Sequence, residues 1–298
     1  MKFRTEYSPI RAKFTLSPDR PVILEGSCFS QNIARRMGLS GWNSFNFTGT
    51  LYNPASICLA IDMLMDTKKG VERFENSLFE YNGIWCSERL DSSFSSCNRE
   101  DSIMEFKNRQ DEFLKTIEEA QALIVTFGSS LVYYQKEKEI PVGNCHKMPA
   151  SMFRRKRMNV SSIFSDWEVL TDELSKKYPD LKFIFTVSPV RHLKDGFVEN
   201  NRSKAILSLA IAEICMYVEN SHYFPAYEIL NDDLRDYRFY ASDLAHPSEE
   251  AVEYIWEMFK RTYLDDKGIE LLSQREKEIK AALHRPLTGA LGKPLQKQ

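Results

Sequence analysis

The 298-residue chain has no CxxC pair, no long apolar run and almost no net charge. Each absence removes a class of function. The six cysteines (Cys28, Cys58, Cys86, Cys97, Cys145, Cys215) are scattered, which fits neither the paired spacing of a zinc site nor a disulfide framework. No stretch approaches the roughly 20 apolar residues that cross a bilayer. The Met1-Lys2-Phe3-Arg4-Thr5-Glu6 start lacks the apolar core and cleavage site of a secretory signal. The expectation is a cytoplasmic protein with reduced thiols and no membrane partner. A formal net charge of −2 gives no long-range attraction for nucleic acid, and the basic run Arg154-Arg155-Lys156-Arg157 reads as a solvated face. Internal repeats and low-complexity tracts are absent as well.

With 43% hydrophobic and 28% charged residues, the composition is ordinary for a globular protein, and the length suits one large domain or a domain with insertions. Short apolar runs predict strands at 22–25, 43–47, 122–127, 182–187 and, weakly, 222–226. Helical patterns fall between them at 54–65, 111–120, 161–178 and 202–218. A last helix follows from Pro247 to about Tyr263, with Ala251, Ile255, Trp256 and Phe259 on one face. Such alternation predicts an α/β fold whose parallel sheet is covered on both faces. Two regions break the rhythm. Residues 78–99 suit an insertion or flap, and 134–157 a long ordered loop, a length that is uncommon unless functional. Residues 1–271 are therefore read as the domain, with 78–99 and 134–157 as loops at its active site. Residues 272–298 are read as a C-terminal helix and a poorly ordered tail.

Chemistry-bearing residues gather at the predicted strand ends. In Val22-Ile23-Leu24-Glu25-Gly26-Ser27-Cys28-Phe29-Ser30 an apolar strand stops at glycine, and a helical pattern begins within a turn. Ser27 thus stands at a strand's carboxyl end and a helix N-terminus, where α/β sheets bind ligands and free N–H groups stabilise anions. On these residues alone an N-cap serine is the simpler reading. A serine nucleophile needs a base and oxyanion donors. His246, restrained by Pro247, is the candidate base, with Asp243 three residues earlier to orient it; a capping turn with an exposed histidine explains the same DxxH. Gly128 and Gly49 each follow a strand, either to let the backbone approach a ligand or simply to end the strand. Asn144 can donate to an oxyanion and His146 can bind substrate. The Cys145-His146 pair also suggests a thiol nucleophile, although sequence neighbours rarely have the geometry. Beyond the fourth strand Arg191 can clamp an anion or pair with a carboxylate, and His192 adds a polar contact or merely a loop residue.

Gly26-Ser27-Cys28-Phe29-Ser30 resembles the motif that names the GSCFA-domain family, a branch of the SGNH-hydrolase-like (GDSL-type) superfamily. The likeness continues through Leu51-Tyr52-Asn53-Pro54, the Gly128 strand end, Asn144-Cys145-His146-Lys147, Ser188-Pro189-Val190-Arg191-His192, Ser203-Lys204-Ala205, Tyr223–Glu228, Asp236–Tyr240 and Asp243-Leu244-Ala245-His246-Pro247. The resemblance implies a three-layer αβα flavodoxin-like fold with a mostly parallel five-stranded sheet, and serine-dependent ester chemistry without a metal or other cofactor. Carried over by position, Ser27 becomes the nucleophile, Asp243 and His246 the acid and base, and Gly49 an oxyanion donor. Cys28 becomes a packing residue behind Ser27. The sequence departs from the superfamily at position 130, where Ser130 stands in place of an asparagine donor. Either Asn144 supplies that donor from its loop or the oxyanion hole is one donor poorer. A second departure is in the flap, where relatives carry a histidine pair and this chain has Leu90-Asp91.

The function these readings imply is a serine esterase acting on a small acyl ester, foremost an O-acetylated carbohydrate. Its rivals are an acyltransferase on the same triad and a non-catalytic carbohydrate-binding or scaffold protein. The expected partner is the small-molecule or carbohydrate ester itself. The sequence carries no statement of oligomeric state.

Overall fold

The computed structural model describes residues 4–136 and 138–283; the His284–Gly289 stretch of the expected tail lies outside them. The chain opens with β1 (Val22–Gly26), α1 (Cys28–Leu39), β2 (Ser44–Phe45), α2 (Pro54–Met65) and α3 (Gly70–Glu75). A hairpin β3 (Leu78–Tyr81) and β4 (Ile84–Ser87) precedes α4 (Arg99–Glu119) and β5 (Ala122–Phe127). Next come β6 (Leu131–Gln135), β7 (Pro141–Val142), β8 (Phe153–Arg157), α5 (Val160–Lys177) and β9 (Lys182–Val187). The chain then runs through α6 (Gly196–Tyr217), β10 (Ser221–Tyr223), α7 (Ala226–Glu228), α8 (Glu249–Tyr263) and α9 (Asp266–Leu283).

Five parallel strands form the central sheet in the order β10-β9-β5-β1-β2. Numbered by chain order within the sheet, that is 2-1-3-4-5, the flavodoxin-like winding, whose ligand crevice opens where the order reverses. Here the reversal falls between β1 and β5. Alternation along the strands sorts two cores. Ile23, Leu123, Val125, Phe127, Phe183 and Phe185 pack with the apolar faces of α2, α4, α5 and α6. On the other side Val22, Leu24, Ala122, Ile124 and Ile184 meet α1 and α8, where Ile255, Trp256 and Phe259 lie as their helical spacing predicts. The result is the expected three-layer αβα fold.

Gly26 closes β1 against β5. Its φ of +123° suits glycine, and a Cβ there would run into the Thr126 carbonyl. The preceding Glu25 is fully buried and accepts from Phe47 N (2.9 Å), Thr48 N (3.2 Å), Asn46 Nδ2 (3.0 Å) and the Thr48 hydroxyl. It thereby holds the loop that carries Gly49. Burial pushes the Glu25 carboxyl up to about 7, against the pull of those donors.

Several elements differ from the sequence expectation. α4 starts twelve residues before the predicted Asp111, at a turn capped by Asn98, whose side chain accepts from Glu100 N at 3.0 Å. The 134–157 region is a three-stranded antiparallel sheet, β7-β6-β8, that begins at Leu131. The basic run is its strand β8, and its charges are paired rather than simply solvated: Arg154 with Glu139, Arg155 with Asp195 and Arg157 with Glu199. A strand built from arginine and lysine carries no period-two apolar signal. Among the described residues no helix is long and apolar enough to cross a membrane.

Candidate active site

A cavity of about 540 Å³ opens at the carboxyl ends of the strands, lined in part by Cys28, Tyr52, Asn53, Asn144, His192 and His246. Its floor is the β1–α1 junction. Ser27 is extended (φ −72°, ψ 170°) and occupies the N-cap position, but its side chain makes no cap bond. Its N–H donates to Thr126 O at 3.2 Å, continuing the β1–β5 ladder. Its Oγ is buried without a hydrogen-bond partner, and its Cβ faces Gly128. Cys28 is the first helical residue, and its Sγ lies 3.5 Å from His246 Nε2. The thiol, not the expected serine hydroxyl, meets the imidazole. Burial pushes the Cys28 thiol up; its own N–H, the Lys204 charge and the Phe29 N–H pull it down, and Asp243 adds an upward push.

The other half of the site is a tight turn. His246 Nδ1 bonds Asp243 Oδ2 at 2.6 Å, and Asp243 Oδ1 accepts from the N–H groups of Ala245 and His246, both at 2.9 Å. Leu244 takes the left-handed conformation (φ +57°) that lets one carboxylate reach all three donors. The two backbone N–H groups, followed by the imidazole, hold Asp243 well below the usual carboxylate range. With its proton on Nδ1, His246 donates to Asp243 and presents Nε2 to Cys28 as an acceptor. Arg191 fastens this turn from the β9 side. Its N–H donates to Ala245 O (3.0 Å) and its Nη1 to Leu244 O (3.2 Å). The guanidinium stands over Phe197, Tyr240 and Tyr237 at 5.1, 5.3 and 5.8 Å. Arg191 lines the cavity edge, but it braces the turn rather than standing free to clamp an anion.

The remaining expected residues divide. Gly128 lies behind the wall, its N–H bonded to Tyr52 O at 2.8 Å. Gly49 (φ +74°) is not a lining residue; its Cα packs on the Asp91 carboxylate, which also accepts from Thr50 N at 2.6 Å. This gives the departure at Leu90-Asp91 a structural role. Ser130 turns to Ser203, its N–H donating to the Ser203 hydroxyl at 2.7 Å. His146 also lies off the cavity. Its Nε2 meets Ser87 O at 2.7 Å and its ring stands edge-on to Phe79, so it ties its loop to the β3–β4 hairpin. Asn144 does line the cavity, with Oδ1 accepting from His146 N at 2.8 Å. Cys145 lines it too but has no histidine partner among the described residues.

Two residues without an assigned role emerge. Asn53 caps α2 by accepting from Ser56 N at 2.8 Å through Oδ1, which leaves its Nδ2 without an acceptor among the described residues, on a side chain of the cavity wall. The asparagine before Pro54 reads as a helix start, and that signal hides a second use for the amide. Lys204 is fully buried on α6, and its Nζ donates to Gly128 O (2.8 Å) and Ser188 O (2.6 Å). Burial pushes this lysine down to about 7, opposed by Cys28. Its signal in the sequence is a cation on the buried stripe Asn200, Ser203, Leu207 and Ile211.

His192 lines the cavity with Nε2 buried and unpartnered, its ring edge-on to Tyr52. Burial, then the charges of Lys204 and His246, push it down to about 4 from 6.5. A base held neutral by the fold contributes stability above the unfolded value that is lost as pH falls through the folded one. In urea unfolding the His192 contribution should fall between pH 6.5 and about 4, against the opposite contribution of Glu25, whose carboxyl is raised to about 7, and His192→Phe should remove the His192 share of the slope. An unchanged slope in the variant would assign it to other groups.

Comparison with known proteins places these features in a family. The GSCFA family profile matches residues 21–259. No curated protein matches the chain. Among solved structures, one from Streptococcus pneumonia named for platelet activating factor has a TM-score of 0.44 at 11% identity, covering 81% of this chain and 82% of its own. An acetyl esterase mutant with acetate ion gives 0.39 at 9%, covering 86% and 99%. A carbohydrate esterase family 3 structure from Talaromyces cellulolyticus gives 0.38 at 9%, with the same coverages.

Proposed function

The chain belongs to the GSCFA family, and from that premise we propose that it is a carboxylic-ester hydrolase in which Cys28, His246 and Asp243 carry the chemistry. The observation that carries this reading is the contact series Cys28 Sγ to His246 Nε2 (3.5 Å) and His246 Nδ1 to Asp243 Oδ2 (2.6 Å). It has the relay order of an activated nucleophile, a base and an orienting carboxylate.

In the first half-reaction Sγ attacks the acyl carbonyl while His246 Nε2 takes the thiol proton. Asp243 stabilises the imidazolium. The oxyanion is received by the free N–H groups at the start of α1 and by Asn53 Nδ2, with Asn144 across the cavity. Collapse expels the alcohol, which takes its proton from His246, and leaves a thioester on Cys28. Water attacks next, losing its proton to His246, and the carboxylic acid departs as the thiol is restored. The His246 side chain is 45% exposed, so water reaches the base directly. Tyr133, Arg155 and Asp195 on the far wall suit a hydroxyl-bearing alcohol group, which supports an O-acetylated carbohydrate as the substrate class.

His246→Ala should lower the hydrolysis of aryl acetates and acetylated sugars by about 100- to 10,000-fold, the usual worth of a positioned base. Turnover within a few-fold of wild type would overturn the mechanism. Release of acetate only in the presence of a sugar acceptor would replace hydrolysis with transfer.

A further inference from the structure

The segments 223–228 and 236–240 and the start of α6 have no part in the ester chemistry, yet they meet around one cavity. It measures about 280 Å³ and is lined in part by Arg191, Phe197, Asn201, Tyr227, Arg235 and Tyr237. We infer that this cavity is a second sugar subsite, which takes a pyranose unit adjoining the one that carries the acyl group. The inference rests on the proposed reading of the chain as a carbohydrate esterase.

The two cavities are built against each other. Arg191 is a wall of both. Tyr240 pairs with Pro247 in an antiparallel bridge, and Ala241 N donates to His246 O and Ser248 N to Phe239 O, each at 2.8 Å. The aromatic segment is thereby fixed to the turn that carries His246. On the opposite side Asn200 Oδ1 accepts from His192 N at 2.9 Å, which ties the start of α6 to the wall of the catalytic cavity. A sugar ring seated in one cavity therefore has a defined position relative to the other.

The lining has the chemistry of a sugar site. Arg235, in the left-handed region (φ +45°), ends the helical turn Ile229–Leu234, and Asp236 caps the next turn, Tyr237–Phe239, by accepting from Arg238 N at 2.9 Å. Phe197 and Tyr237 are each 61% exposed. The Arg191 guanidinium stands over one side of these rings, and the remainder is open to a ligand. A pyranose offers an apolar C–H face to such a ring and a hydroxyl edge to polar groups around it. Some of those groups are spent inside the wall. Asn231 Nδ2 donates to Tyr227 O (2.8 Å), Asn231 Oδ1 accepts from Tyr240 OH (3.3 Å), and Asn200 Nδ2 donates to Asn201 Oδ1 (3.3 Å). Asn201 Nδ2, the Arg235 guanidinium and the hydroxyls of Tyr227 and Tyr237 have no partner among the described residues, and they match the hydroxyl edge. The volume lies below the roughly 300–1,000 Å³ of sites for drug-sized ligands, which suits one sugar ring rather than a nucleotide.

The test is calorimetric titration of the whole chain with xylotetraose, a neutral probe, and tetragalacturonate, an acidic one. Wild type should bind at least one of them. Tyr237→Ala should weaken that binding by about tenfold or more, as truncation of an aromatic anchor does. Asn201→Ala, an exposed change on α6, should weaken it as well while leaving aryl acetate hydrolysis unchanged. No binding of either probe, or binding equal to wild type in both variants, overturns the inference. On the acetylated form of the probe that binds, Asn201→Ala should also lower kcat/KM, because binding energy from the remote unit contributes to the transition state. Weakened binding with that kcat/KM unchanged would make the cavity a separate site and overturn its place beside the ester. The titrated probes carry no ester, so their binding does not depend on which residue is acylated. An acyl adduct mapped elsewhere than Cys28 would sink the nucleophile reading and leave the titration standing.

Discussion

Cys28→Ala should lower kcat/KM for a short-chain aryl ester by about 1,000-fold or more, the scale on which removing a nucleophile acts. Ser27→Ala should stay within about tenfold of wild type, since its buried hydroxyl bonds neither the nucleophile, the base nor an oxyanion donor. The contrast follows from two adjacent residues facing different ways. Ser27 N–H is spent on Thr126 O, and its hydroxyl is sealed without a partner. Cys28 faces the cavity and meets His246. Ser27→Ala should even leave stability nearly unchanged, because it removes a buried hydroxyl that makes no bond. Parallel loss of activity in both variants would mean that the junction rearranges during catalysis.

Asn53 gives the second large effect. Asn53→Asp keeps an oxygen to cap α2 but replaces the N–H2 donor with an acceptor facing the developing oxyanion. It should lower kcat by about 100- to 1,000-fold, the typical cost of one lost oxyanion donor, with a melting temperature close to wild type. Asn53→Ala should lose the same rate and also about 0.5–2 kcal/mol of stability from the missing cap. Asn144→Ala serves as the control across the cavity. If Asn144→Ala carries the loss and Asn53→Asp does not, the donor assignment is reversed.

The fold was legible because its strands are apolar and its helices carry caps. The runs at β1, β5 and β9, the proline start of α2 and the apolar face of α8 all lie where period and punctuation place them. The DxxH turn was legible too, as a short-range motif whose residues bond one another. What escaped had physical reasons. In the 131–157 sheet, strand β8 is the basic run, whose arginines pair with Glu139, Asp195 and Glu199, so no apolar alternation marks it. Ser27 and Cys28 straddle a strand-to-helix junction, where one residue of offset turns a side chain from the sheet to the crevice. Serine's preference for N-caps does describe Ser27's position, though its hydroxyl forms no cap bond. Gly49 matches the superfamily pattern and Ser130 stands where that pattern has asparagine, but Asp91 and Ser203 occupy the space beside them. Asn53 and Lys204 stand inside motifs whose helical reading was complete without them. Only the tertiary structure shows an amide on the cavity wall and an ammonium beneath it.

The central claim is that the acyl group is carried on sulfur. Brief reaction with an activated aryl acetate, acid quenching and peptide mapping should place the acetyl group on Cys28, as a thioester that neutral hydroxylamine removes. An acetyl group on Ser27, stable to neutral hydroxylamine, would contradict the account.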